Sequence, residues 1–139
     1  MIRTVVVTAL KNLGWLVVVA LPLFFLLTWV QALVAGAEGS RDLGYVLETG
    51  AVYYLTNLPP VLVGGVIHQV IWLVLPRAWP RTRRMIMALV VAPLIPITVW
   101  LSWGGPARSL VAFAGPMVLA LAVYVLLMRA PAVSEPVAA

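Results

Sequence analysis

The sequence predicts an all-α integral membrane protein, an up-down bundle of four transmembrane helices with both termini in the cytoplasm (N-in/C-in). Three observations carry this. Of 139 residues, 64% are hydrophobic and 9% charged, against about 45–50% and about 25% in soluble domains; the mean hydropathy is +1.11. Four uncharged stretches are long enough to cross a bilayer. The basic residues gather on one side of those stretches.

The spans follow in order. They run over residues 13–35, 50–75, 85–103 and 109–128, and about 20 apolar residues cross a hydrocarbon core of about 30 Å. No stretch alternates apolar and polar residues as a membrane barrel does. Arg3, Lys11, Arg77, Arg81, Arg83, Arg84 and Arg129 fall on one side, Arg41 and Arg108 on the other. The positive-inside rule places the first set in the cytoplasm, giving a multi-pass cell-membrane protein. The run Ala35-Gly36-Ala37 resembles a signal-peptide cleavage site, but the apolar run before it is longer than a signal core of about 7–15 residues, so an uncleaved helix is preferred. Residues 1–128 form one domain, and 129–139, with two prolines, are expected to be a flexible cytoplasmic tail. Short loops make sequence neighbours pack antiparallel. Eight arginines against one lysine, with abundant alanine and valine, suit a GC-rich bacterial genome.

Composition also excludes functions. With no cysteine, disulfides, thiolate metal sites and dithiol redox chemistry are out. The net charge of +5 sits in short loops, not on the basic face of a folded domain, so no nucleic-acid partner is expected. In the loop 76–84, Arg77, Arg81, Arg83 and Arg84 read as topology signals in contact with anionic lipid head groups.

The second span holds the informative residues. Its segment NLPPVLVGGVIHQVIW, residues 57–72, combines two prolines, two glycines and three polar side chains. Counting from Leu75 at about 1.5 Å per residue puts His68 about 10 Å deep and Asn57 about 27 Å along, near the outer surface. The prolines allow three readings of residues 43–58. They continue the span as one kinked helix, which is preferred, form an interfacial helix before a span that starts near Pro59, or break a helix that lines a substrate cavity. At 100° per residue Asn57, Gly64 and His68 share one stripe. A packing face, with glycine admitting a neighbouring backbone, is preferred over a polar pathway.

His68, with Gln69 beside it, is the one deep ionisable residue and so the binding candidate. A neutral imidazole has one N–H to satisfy. Pro96 cannot bond the carbonyl of Ala92, and Ala92 lies at matching depth on the third span, so the ring is expected to meet that carbonyl. Tyr124, and the carbonyl of Val18 freed by Pro22, are competing partners. No catalytic or metal-binding residue is assigned and no cofactor expected. Zinc needs three or four ligands, a nucleophile needs its base within hydrogen-bond reach, and every Asp and Glu lies in a loop or the tail. The leading expectation is a non-enzymatic accessory or structural subunit, packing against itself as a homo-oligomer or against a larger membrane protein. The alternatives are a small oligomeric transporter or channel using the Asn57–Gly64–His68 stripe, and a redox subunit holding haem or quinone at His68.

Overall fold

A computed structural model describes residues 2–104 and 107–129. It is all-helical, 84% helix, with no strand among the described residues. Helix α1 (Ile2–Trp15) runs through a π turn, Leu16–Ala20, into α2 (Leu21–Val34). Helix α3 (Leu43–Val74) is followed by α4 (Arg81–Val91) and α5 (Leu94–Trp103), then by α6 (Ala107–Ala112) and α7 (Ala114–Leu127). Three continuous apolar stretches, Ile2–Val34, Leu43–Val74 and Arg81–Trp103, are long enough to cross a membrane; Ala114–Leu127 is shorter.

Several predicted boundaries move. The first helix starts at Ile2 rather than residue 13, because Lys11 and Arg3 are good helix formers and do not end it. The third starts at Arg81 rather than 85, so three of the four arginines of the expected loop are helical. Residues 43–58 belong to one 32-residue helix with Pro59 and Pro60 inside it. Asp42 caps that helix, its carboxylate accepting from the Tyr45 N–H at 3.1 Å. Beyond Arg129, the tail lies outside the described residues, as do Gly105 and Pro106 between the third and fourth predicted spans.

Prolines set the irregularities. A proline deprives the carbonyl four residues back of its donor, and in a bilayer that carbonyl must find another. In the π turn, Leu21 N–H reaches back five residues to Leu16 O. Val17 O then has neither the Leu21 donor nor one from Pro22, and it accepts from the Tyr54 hydroxyl at 3.0 Å. The π register thus moves the deprived acceptor from Val18, as expected from the sequence, to Val17. Pro116 deprives Ala112 O, which lies at the break between α6 and α7 and accepts from Gln31 Nε2 at 3.0 Å. Pro93 and Pro96 interrupt the third apolar stretch at residues 92–93.

The two glycines of α3 face different neighbours. A Cβ on Gly64 would lie 2.5 Å from Thr98 Oγ1 and 2.8 Å from Ile95 Cα, and one on Gly65 would meet Leu16 and Leu13 at 2.6 and 2.8 Å. Gly64 thus sets the approach of α5, and Gly65 that of the first helix. The close approach lets the Thr98 hydroxyl reach Pro60 O at 2.9 Å across the interface. Gly64→Ala is expected to destabilise the bundle by about 1–3 kcal/mol, as overpacking does. Gly50, where an added Cβ would meet nothing within 4 Å, gives the control: Gly50→Ala should unfold like wild type in detergent titrations followed by circular dichroism.

Candidate functional site

Polar residues inside an apolar bundle mark its chemistry, and four of them meet at one end. Asn12 of α1, His68 and Gln69 of α3, and Tyr124 of α7 are 0, 1, 2 and 0% exposed. Asn12 lies on the buried stripe of the first helix that continues through Leu16 and Ala20. Residues four apart share a helix face, so one turn after another of that helix faces inward.

Gln69 is the hub. Its Oε1 accepts from Asn12 Nδ2 at 2.9 Å. Its Nε2 donates to the Tyr124 hydroxyl at 2.6 Å and approaches Met128 Sδ at 3.1 Å. Asn12 also grips the backbone where α7 ends: Oδ1 accepts from Arg129 N–H at 2.9 Å, and Nδ2 donates to Arg129 O at 3.1 Å. The terminal groups of a helix lack intrahelical partners, and here one amide side chain serves a donor and an acceptor of the same residue. Three helices distant in sequence are thereby joined.

His68 faces the other side of the same end. Its Nε2 lies 2.9 Å from Ala88 O. A carbonyl only accepts, so the ring proton sits on Nε2 and donates. Nδ1 is then an acceptor, with no donor among the described residues. The ring packs at 5.5 Å, centroid to centroid, from that of Tyr124. The acceptor is one turn earlier than the Ala92 carbonyl expected from the sequence. Ala92 O is occupied: after the break at Pro93 the backbone tightens, and Ile95 N–H bonds it at 3.0 Å. Of the other expected partners, Tyr124 meets the His68 ring by packing, and the ring's hydrogen bond goes to Ala88 rather than to Val18; Pro96 is half-buried in α5.

The Asn57–Gly64–His68 stripe is covered along its length by the third apolar stretch. Asn57 Oδ1 accepts from Trp103 Nε1 at 2.9 Å, Gly64 touches Ile95 and Thr98, and His68 bonds Ala88. Asn57 also lines an apolar cleft of about 550 Å³ between α2, α3, α5 and α7, with Phe24, Phe25, Trp100 and Leu121 among its walls.

The chemistry open to the polar cluster is that of neutral donors and acceptors. No group of three His, Cys, Asp or Glu that could hold a metal occurs among the described residues. The His68 ring is 1% exposed, between Ala88 and Tyr124. The sequence did not point to Asn12, which stands just outside the span predicted from residue 13. Its signal was an amide at spacing i, i+4 with Leu16 and Ala20 on a helix that begins earlier than its charges suggested.

No protein-family model matches the chain, and neither a curated protein nor a solved structure matches it.

Proposed function

We propose that this chain is a non-enzymatic, multi-pass cell-membrane protein that serves as an accessory or structural subunit, packing against itself or against a larger membrane protein. The observation that supports this is the commitment of the deep polar groups to one another. Asn12, Gln69, Tyr124 and the Arg129 backbone bond across three helices, and His68 bonds Ala88. Interhelical bonds of this kind hold a bundle in one arrangement, and a fixed arrangement is what a docking subunit presents to its partner. Four spans with both termini cytoplasmic complete the proposal. The fourth span would consist of α6 and α7 in succession, and the orientation draws on the seven-to-two split of basic residues.

The small-transporter reading keeps one supporting observation, the apolar cleft with Asn57 at its edge. A pathway along the glycine face, by contrast, is filled by α5 within one copy.

The test is purification of the tagged full-length chain from its native membrane in mild detergent, with the mass of the particle measured. Stoichiometric recovery of one larger membrane protein, or a defined homo-oligomer, is expected. A bare monomer that makes proteoliposomes permeable to ions would overturn the reading in favour of transport.

A further inference from the structure

The arginine-rich end of α4 carries features that topology alone does not need. Between Glu48 and Glu135 the chain has no acidic residue, yet Arg77, Arg81, Arg83 and Arg84 crowd into eight positions. Three of them occupy the first turn of α4, which has no side-chain cap and no acid. The positive end of a helix dipole repels cations there and attracts anions. Two of the guanidiniums are also held in place. Arg83 Cζ lies 4.0 Å from the Trp79 ring centroid, and Arg84 Cζ lies 4.5 Å from that of Trp72. Cation–π stacking of this kind orients a guanidinium face and leaves its outer Nη edge to donate. Trp72 is 4% exposed, and its contact with Arg84 is short of hydrogen-bond acceptors. Its Nε1 and the Nε of Arg84 are both buried donors without an acceptor among the described residues. Both belong to the one Arg84–Trp72 contact. Buried donors are rarely left unpaired, and the shortage at this contact is of acceptor oxygens.

We propose that the N-terminal end of α4, with Arg83 and Arg84 stacked on Trp79 and Trp72, is a binding site for the phosphate of an anionic phospholipid head group. The occupant is lipid because Arg81 begins an apolar stretch long enough to cross a membrane, which places the site where phosphates of a bilayer lie. Arg77 and Arg81 are exposed and add long-range attraction. Stacked guanidiniums at a helix start supply what diffuse charge does not: donors held in fixed orientations for phosphate oxygens. The proposal rests on the chain lying in a bilayer and not on the accessory role, so a chain that purifies without a partner still tests it.

The full-length chain in neutral detergent is titrated with phosphatidylglycerol or phosphatidylcholine, and bound lipid is counted by native mass spectrometry. Wild type should prefer phosphatidylglycerol. R83Q/R84Q should weaken that binding about 25-fold, at about fivefold for each charge lost near an anionic head group. R41Q/R108Q, an equal charge loss elsewhere, should leave it intact. R83K/R84K keeps the charge but not the planar stacked donors, and should fall between wild type and the glutamine double. Its helicity and melting, followed beside those of R83Q/R84Q, guard against misfolding. Equal loss in both glutamine doubles, full retention in the lysine double, or displacement of lipid by millimolar inorganic phosphate would each overturn the proposal. The first would leave diffuse attraction, the second charge without a built site, and the third a site for soluble anions.

Discussion

Replacing Asn12 by leucine is expected to lower the stability of the folded bundle by about 2–5 kcal/mol, from three bonds lost at about 0.6–1.7 kcal/mol each. The bonds are those to Gln69 Oε1, Arg129 N–H and Arg129 O. Leucine has the same number of side-chain heavy atoms and the same branch point as asparagine, so the change removes polarity while keeping the shape close. The groups left behind set where in that range the cost falls. Gln69 Oε1 and two backbone groups stay at the end of the bundle with no partner, and an orphaned buried group costs about 1–3 kcal/mol. Water reaching Arg129, which is exposed, relieves its backbone and holds the total within the stated range. Gln69→Leu should cost a similar amount by leaving one of the two Asn12 Nδ2 N–H donors without an acceptor, the other keeping Arg129 O, and by removing the amide donor to the Tyr124 hydroxyl. The double substitution should cost less than the sum, because the Asn12–Gln69 bond is lost once rather than twice. Denaturant titration of all four proteins in detergent, followed by circular dichroism, measures the cycle. Strict additivity would mean that the two amides do not act as a pair.

The residues of this network show what the sequence made legible. Gln69 is visible as a polar side chain deep in an apolar run; Tyr124 is legible only as a competing partner for His68, whereas its hydroxyl accepts from Gln69. Asn12 is not, because Lys11 beside it marks the charged edge of the predicted first span. A charged residue at a membrane edge need not interrupt a helix, since its long side chain extends toward the interface. Gly64 was legible as a packing position because absence of a side chain is itself the signal. Which helix it meets, α5, and that Gly65 meets a different one, depends on rotation about the axis of α3, which a stripe drawn on one helix does not specify.

Hydrogen-bond acceptors were harder to read than donors. The rule that proline frees the carbonyl four residues back assumes α-helical register. It applies at Pro116, where Ala112 O takes the Gln31 amide. At Pro22 the π turn shifts the freed acceptor by one residue to Val17, and at Pro96 a tighter turn fills Ala92 O from Ile95 N–H. Both departures are local rearrangements of backbone bonding with no mark in side-chain pattern. They moved the expected partner of His68 by one turn while leaving the apolar stretch that supplies it unchanged.

That partner decides how His68 should respond to substitution. His68→Ala is expected to destabilise the bundle by about 3–5 kcal/mol, the range for removing a large buried ring, because the side chain is 1% exposed and packs against Tyr124. His68→Leu should cost only about 1 kcal/mol. It loses the Nε2–H bond, worth about 0.5–1.5 kcal/mol net, but fills most of the volume. It also leaves no orphan, since Ala88 O still accepts from Ala92 N–H at 2.9 Å. The contrast between the two variants separates a packing residue from a ligand-holding one. If His68 acts through packing, the leucine variant keeps the oligomer or the co-purified partner in the mild-detergent experiment, and the alanine variant loses it. If the imidazole itself is needed, for proton transfer or to hold a cofactor, both variants fail in the same assay while the leucine protein remains folded. Stability and assembly measured on the same two preparations therefore tell whether the one buried histidine serves the bundle or a reaction.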